Sequence, residues 1–220
     1  MAEIALYEAM QTTRAVRRLR PDPVPDAVLR RVIEAATWAP SGGNRQPWRI
    51  IAVRDAEKKR RMRDLYLGPW ERYARAQRRQ LERLSPESRA RGERSLRAAD
   101  YLAEHFDRPP VVLVVCFNPE LLMITDSSLG RPSVVGGASV YPAVQNLLLA
   151  CRAEGLGCVL TTLLCMSEPE IRTLLEIPEP WGTCAFVPIG YPVGTGHGAL
   201  ARKPVDDMAF LDRWGAPLFT

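Results

Sequence analysis

Three polar segments carry the side chains in this sequence that could do chemistry. The first is Arg14-Ala15-Val16-Arg17-Arg18. Guanidinium groups at such spacing can converge on a phosphate, which their planar fork matches in two-point contact. The second is Pro40-Ser41-Gly42-Gly43-Asn44-Arg45-Gln46-Pro47-Trp48. Two glycines let backbone approach a flat ligand closely, while Ser41 and Asn44 supply hydrogen-bonding groups. The third is Arg202-Lys203-Pro204, close to the end of the chain. Each has a plainer alternative: a solvated charge cluster for the first and third, an ordinary helix-to-strand loop for the second. Only Lys58, Lys59 and Lys203 are lysines, so arginine is the default cation here and must be weighed by position.

Other chemistries leave no trace in the order of residues. There is no GxSxG, P-loop, HExxH or GxGxxG run, and no Ser/His/Asp grouping. The five cysteines, Cys116, Cys151, Cys158, Cys165 and Cys184, form no CxxC pair and lie mostly in apolar runs. They read as reduced core residues of a cytoplasmic protein. With His105 and His197 the only histidines, no metal site is expected. A chain without an acid–base team of its own can leave the reaction to a cofactor.

Length and composition bound the architecture. The 220 residues, 46% of them hydrophobic, suit one domain with a real core. No apolar run is long enough to span a membrane, and MAEIALYEAMQTTR lacks the apolar stretch of a secretion signal. The net charge is +5 and the isoelectric point about 9.1. The basic residues are spread along the chain and alternate with acids, which disfavours a nucleic-acid partner.

The elements that must position the polar segments follow from periodicity. Residues 3–11 read as a helix. Pro21, Pro23 and Pro25 interrupt the chain, after which Asp26 is expected to cap a helix with Val28, Leu29, Val32, Ile33 and Ala36 on one face. Trp48 to Val53 reads as a strand, followed by a charged helix from about Ala56 to Leu67. Residues 68–108 are rich in arginine and glutamate and read as one or two solvated helices, an insertion or lid between core strands. Trp70, Tyr73, Tyr101 and Phe106 are more aromatic residues than a solvated excursion needs. Such rings could stack on a flat ligand at a pocket mouth, or merely pin the helices to the body. Val111 to Phe117 is a buried strand by its β-branched run. Ala138 to Ala153 reads as a central helix ended by Gly155 and Gly157. Cys158 to Leu164 reads as a strand running into a loop, Ser167 with Glu170 as a capping box, and Thr183 to Gly190 as a strand whose Pro188 implies an edge or bulge. Helices and strands interleave, giving an α+β or α/β protein.

Together these segments resemble the nitroreductase family, also called the FMN-dependent nitroreductase-like superfamily, over nearly the whole chain. The strongest marker is APSGGNRQPWRIIAV at residues 39–53, similar to the family's Pro-Ser-x-x-Asn-x-Gln-Pro-Trp run before a strand. TTRAVRRLRPDPVPDAVL resembles the arginine-rich opening, GLGCVLTT at 155–162 the segment before the flavin edge, and VPIGYP at 187–192 with ARKPVDDM at 201–208 the closing motifs. Two departures stand out. Many members have arginine where Thr13 stands and serine where Ala15 stands, and many have Pro-x-Glu-Gly in place of Thr162-Leu163-Leu164-Cys165.

The resemblance implies a single FMN-binding domain over 1–220, an α+β sandwich with a central mixed or antiparallel sheet flanked by helices, assembled as an intertwined homodimer. It assigns Arg14, Ala15, Arg17, Arg202 and Lys203 to the FMN phosphate end. Pro40, Ser41, Gly42, Asn44 and Gln46 fall on the ring and ribityl groups, and Thr161, Thr162, Leu163 and Leu164 on the flavin edge. Trp70, Tyr73 and Phe106 are the candidates to contact substrate. The implied activity is hydride transfer from NAD(P)H through the flavin to a small acceptor, in ping-pong order. Two alternatives stay open: a specialised flavoenzyme that oxidises or dehalogenates one metabolite, and a flavin-binding protein without turnover.

Overall fold

The computed structural model describes residues 4–219, so residue 3 of the expected first helix lies outside the described residues. The core is a four-stranded sheet in the order β1-β2-β4-β3, where β1 is Trp48–Val53, β2 Val111–Phe117, β3 Gly157–Cys158 and β4 Gly182–Gly190. Every pairing is antiparallel, which decides the mixed-or-antiparallel alternative. Val111 to Cys116 of β2 are all buried, as a sheet covered on both sides requires, with alternate side chains joining opposite layers. Val111, Leu113 and Val115 face α2 (Asp26–Thr37) and α5 (Tyr141–Ala153). Val112, Val114 and Cys116 face α3 (Ala56–Leu81), the end of α4 (Pro86–Glu104) and α6 (Glu168–Leu175). A short α1 (Leu6–Thr12) completes the helices.

Several expectations need correction. The helix expected to end near Leu67 continues through Pro69 to Leu81. Proline inside a helix costs about 3 kcal/mol. Here Met62, Tyr66, Trp70 and Ala74 form an uninterrupted buried stripe on the sheet, and burial of one large side chain contributes about 1.5–3 kcal/mol. The stripe outweighs the break, so no boundary exists at residue 68. Residues 68–74 belong to the core layer, and only the far halves of α3 and α4 extend beyond it as a helical pair.

Asp26 is not a cap: Pro25 occupies the cap position, and Asp26 pairs with Arg54. Ser167 makes no capping bond at the start of α6. Instead Glu168 turns back to the sheet, accepting from Thr183 N at 2.5 Å and Thr183 Oγ1 at 2.9 Å. The strand expected over 158–164 is only Gly157–Cys158, continued by an isolated bridge between Thr161 and Phe186. β4 lies beside β2 along its length, with a bulge at Val115/Cys116 that offsets Cys184, while β3 covers only Ile189 and Gly190. β4 is thus an interior strand and its bulge lies away from Pro188, which is tolerated because its outer side is unpaired between Phe186, bridged to Thr161, and Ile189, paired with Cys158.

Candidate cofactor cleft

A cleft of about 330 Å³ opens between α1, α5 and the segment after β3. Residues 14–20 border it, lying first along β3 and then along Tyr191 and Pro192 after β4. Val16 N donates to Cys158 O at 2.8 Å, and Arg20 N donates to Tyr191 O at 2.8 Å. Gly157 permits this approach, because a Cβ there would meet Val16 Cγ1 at 2.7 Å and Leu19 Cδ2 at 2.8 Å. Val16 and Leu19 are thereby buried, and the intervening Arg14, Ala15 and Arg17 reach the cleft. Arg202 enters from the chain's end.

Four of the residues singled out in the sequence, Arg14, Ala15, Arg17 and Arg202, thus line one cavity although nearly 190 residues separate the first from the last. Among the described residues none of the three arginines has an acidic partner, and the only side-chain bond any of them makes is Arg202 Nη1 to its neighbour Ala201 O, at 2.9 Å. Burial pushes the Arg17 guanidinium below the ordinary arginine value. The Tyr66 hydroxyl pulls weakly upward, and the like charge of Arg14 pushes down again. A guanidinium does not give up its proton in a protein, so this is positive charge partly withdrawn from water without an acidic partner among the described residues. Gln145 and Leu148 of α5 and Leu160 complete the lining. Sequence reading missed Gln145. Its signal was the polar pair Gln145-Asn146 within an otherwise apolar helix; Asn146 ties α5 to α2 through Ala35 O at 3.2 Å.

Lys203 is exposed and does not line this cleft. Nor does any residue of the loop Pro40 to Gln46. That loop is ordered from within. Ser41 Oγ accepts from Gln46 N at 3.0 Å, Gln46 Nε2 donates to Asn44 Oδ1 at 3.0 Å, and Gly42 N donates to Ser139 Oγ at 3.1 Å. Asn44 has φ 53° and Gln46 φ 46°, left-handed conformations that L-residues rarely adopt. Strain held in an exposed loop is typical of a binding element.

The segment after β3 leads out of the cleft. Thr161 is half-buried and Thr162 exposed, whereas Leu164 is fully buried in the core against the sheet. Leu164 therefore supports the segment rather than touching a ligand. Beyond Thr162 lies a second cavity of about 480 Å³, bordered by Phe117, Leu122, Tyr141, Cys165 and Cys184 with no charged side chain. Burial raises the Cys165 and Cys184 thiols above their ordinary value and lifts Cys116 to about 11, so these groups stay neutral.

The aromatic candidates divide. Phe106 is fully buried, 4.8 Å from the Tyr66 ring, and Trp70 is 7% exposed. Both pin the helices to the body and cannot stack on a substrate. Tyr73, 47% exposed, lies on the outer side of α3 with its ring 5.8 Å from that of Trp70.

The nitroreductase family's sequence profile matches residues 10–191. This chain belongs to the nitroreductase family. Membership makes it an oxidoreductase. Relatives include an NADH dehydrogenase of Thermus thermophilus, 28% identical over 84% of this chain and 85% of that protein. A 5,6-dimethylbenzimidazole synthase of Rhodobacter capsulatus is 31% identical over 90% of this chain and 89% of its own length. An iodotyrosine deiodinase of Danio rerio is 29% identical over 93% of this chain and 66% of its own. The fold is shared with the NADPH:FMN oxidoreductase of Vibrio harveyi, solved with NAD+, at a TM-score of 0.67 and 19% identity over 94% of this chain and 77% of that one.

Proposed function

We propose that the chain is an FMN-dependent oxidoreductase that takes hydride from NAD(P)H and passes it, in ping-pong order, to a small conjugated acceptor such as a nitroaromatic or a quinone. The observation that carries this reading is the convergence of Arg14, Arg17 and Arg202, without acidic partners, in one cleft. Three cations at one end suit a terminal phosphate dianion, and the ordering of a mobile arginine costs less when the charge it meets is fixed. FMN ends at such a phosphate. When bound, FMN supplies hydride acceptance and delivery.

The chain's own residues bind, orient and exclude water. Arg14, Arg17 and Arg202 hold the phosphate, with the Ala15 backbone beside them and Lys203 within reach from the tail. Thr161, Thr162 and Leu163 face the ring edge. Pro40, Ser41, Gly42, Asn44 and Gln46 serve the same ring from a second copy of the chain, because in one protomer their loop stands apart from the cleft. The exposed tail side chains Met208, Leu211 and Trp214 are the material for that homodimer, with Trp214 91% exposed. The uncharged cavity beside Thr162 suits a neutral, flat acceptor. Among the described residues no helix is long and apolar enough to cross a membrane, and we place the protein in the cytoplasm.

The deiodinase and synthase relatives favour a second reading, an enzyme committed to one metabolite. One experiment addresses both readings. The chromophore of purified protein is extracted and compared with FMN and FAD standards, and the bound flavin is then mixed anaerobically with NADH or NADPH. FMN that bleaches with either donor supports the proposal. FAD, or no flavin after reconstitution, removes it, and FMN that does not bleach points to the dedicated enzyme or to a binding protein.

A further inference from the structure

Tyr66 lies in the middle of α3, 3% exposed, between the rings of Phe106 at 4.8 Å and Trp70 at 6.5 Å. Its position in the apolar stripe of α3 is explained by packing alone; its hydroxyl is not. That hydroxyl stands 3.1 Å from Thr161 Oγ1, 95 residues away, and close enough to Arg17 to feel its charge. Among the described residues this is thus the one side-chain hydrogen bond joining α3 to the segment that leaves the basic cleft.

Counting protons makes the contact informative. Thr161 Oγ1 also accepts from Leu163 N at 3.4 Å. One hydroxyl proton spans Tyr66 and Thr161. The other has no acceptor among the described residues. Burial keeps the Tyr66 phenol above its ordinary value and hence protonated, despite the opposing pull of Thr161 and Arg17. The pair therefore holds two protons and uses one. With Tyr66 as the donor of the pair, the free hydroxyl proton is that of Thr161, half-buried at the cleft's exit.

We propose that Tyr66 is a positioning residue for the ring-edge segment: through Thr161 it fixes the path of residues 161–165 and leaves one hydroxyl proton for an acceptor atom of the bound cofactor. This rests on the FMN reading above. Tyr66→Phe tests it, because the ring and its stacking are kept and only the hydroxyl is removed. FMN affinity is read by fluorescence titration, and amide hydrogen exchange of residues 162–165 is read in the flavin-free protein. The expected result is an FMN Kd raised by about threefold to tenfold, the scale of one hydrogen bond, with faster exchange at Leu163. Thr161→Val should reproduce both effects, Thr161→Ser should keep wild-type affinity and exchange, and the double variant Tyr66→Phe with Thr161→Val should be no worse than the stronger single one. Unchanged affinity and exchange in Tyr66→Phe, or effects of the two substitutions that multiply, overturn the proposal. Should Tyr66→Phe not fold, Thr161→Val against Thr161→Ser decides at a partly exposed site. If the wild-type protein takes no flavin, the functional reading fails by itself, and the exchange comparison alone decides the tether.

Discussion

The indole N–H of Trp70 donates to Asp100 Oδ1 at 3.1 Å, joining α3 to α4 where the helical pair leaves the sheet. The same carboxylate receives Arg78 Nη2 at 2.8 and 2.9 Å. Asp100 thus serves an apolar ring on its buried side and a guanidinium on its exposed side. The ring itself is packed in the layer over β2, which makes Trp70 a joint in the scaffold.

Trp70→Ala should accordingly lower stability by about 3–5 kcal/mol, the range for losing a buried aromatic ring. Thermal unfolding of the flavin-free protein measures it. A variant with an unchanged Tm and altered acceptor kinetics would restore Trp70 to the substrate pocket. Tyr73→Ala, at an exposed ring, should leave Tm nearly unmoved, and it is the substitution in this helix that can report on acceptor kinetics without a stability artefact.

Arg17→Ala should separate binding from folding. The guanidinium is partly buried beside Arg14 with no acid to offset it, so the flavin-free variant should be at least as stable as the wild type. FMN affinity should fall by about tenfold to a hundredfold, the scale of a charge-assisted contact. Titration of the folded variant with FMN gives the answer; wild-type affinity would mean that the phosphate lies elsewhere. Arg202→Ala should behave in the same way.

His197 sets a pH dependence. Its Nε2 lies 2.9 Å from Leu156 O, and its buried Nδ1 has no partner among the described residues. Burial lowers its pKa below the ordinary 6.5; the Leu156 carbonyl opposes this, and Arg152 and Arg14 add to it. The unfolded chain therefore takes up a proton from about pH 6.5 downward while the folded chain does not. Stability should decline as pH falls below about 6.5 and level off once the folded histidine titrates. His197→Gln should flatten that limb in urea melts between pH 7 and 5. An unchanged slope would assign the dependence to other groups.

Removal of the tail from Asp207 onward spares Arg202 and deletes Met208, Phe210, Leu211 and Trp214. The truncated chain should run as a monomer in light scattering and lose its flavin, since the Ser41 loop of a second copy would no longer be brought to the cleft. A stable monomer that keeps FMN would refute the proposed shared site.

Some of this was legible without coordinates. The β-branched run of residues 111–117 and the apolar face of Val28 to Ala36 encode burial directly, because the repeat of apolar residues in one element reports which sides of that element avoid water. Arg14, Ala15, Arg17 and Arg202 could be grouped through their order in a resembling pattern, and they do line one cleft.

Tertiary structure decided the rest. Pro69 reads locally as a helix break, yet α3 passes through it, since the packing of Met62, Tyr66, Trp70 and Ala74 on the sheet is a sum over partners distant in sequence. The same packing buried Trp70 and Phe106, candidates by residue type, and Leu164, a candidate through the resemblance. It also paired the Tyr66 hydroxyl with Thr161, a contact that no periodicity marks. Periodicity specifies the faces of an element; which distant side chain meets each face is settled only when the layers close on one another.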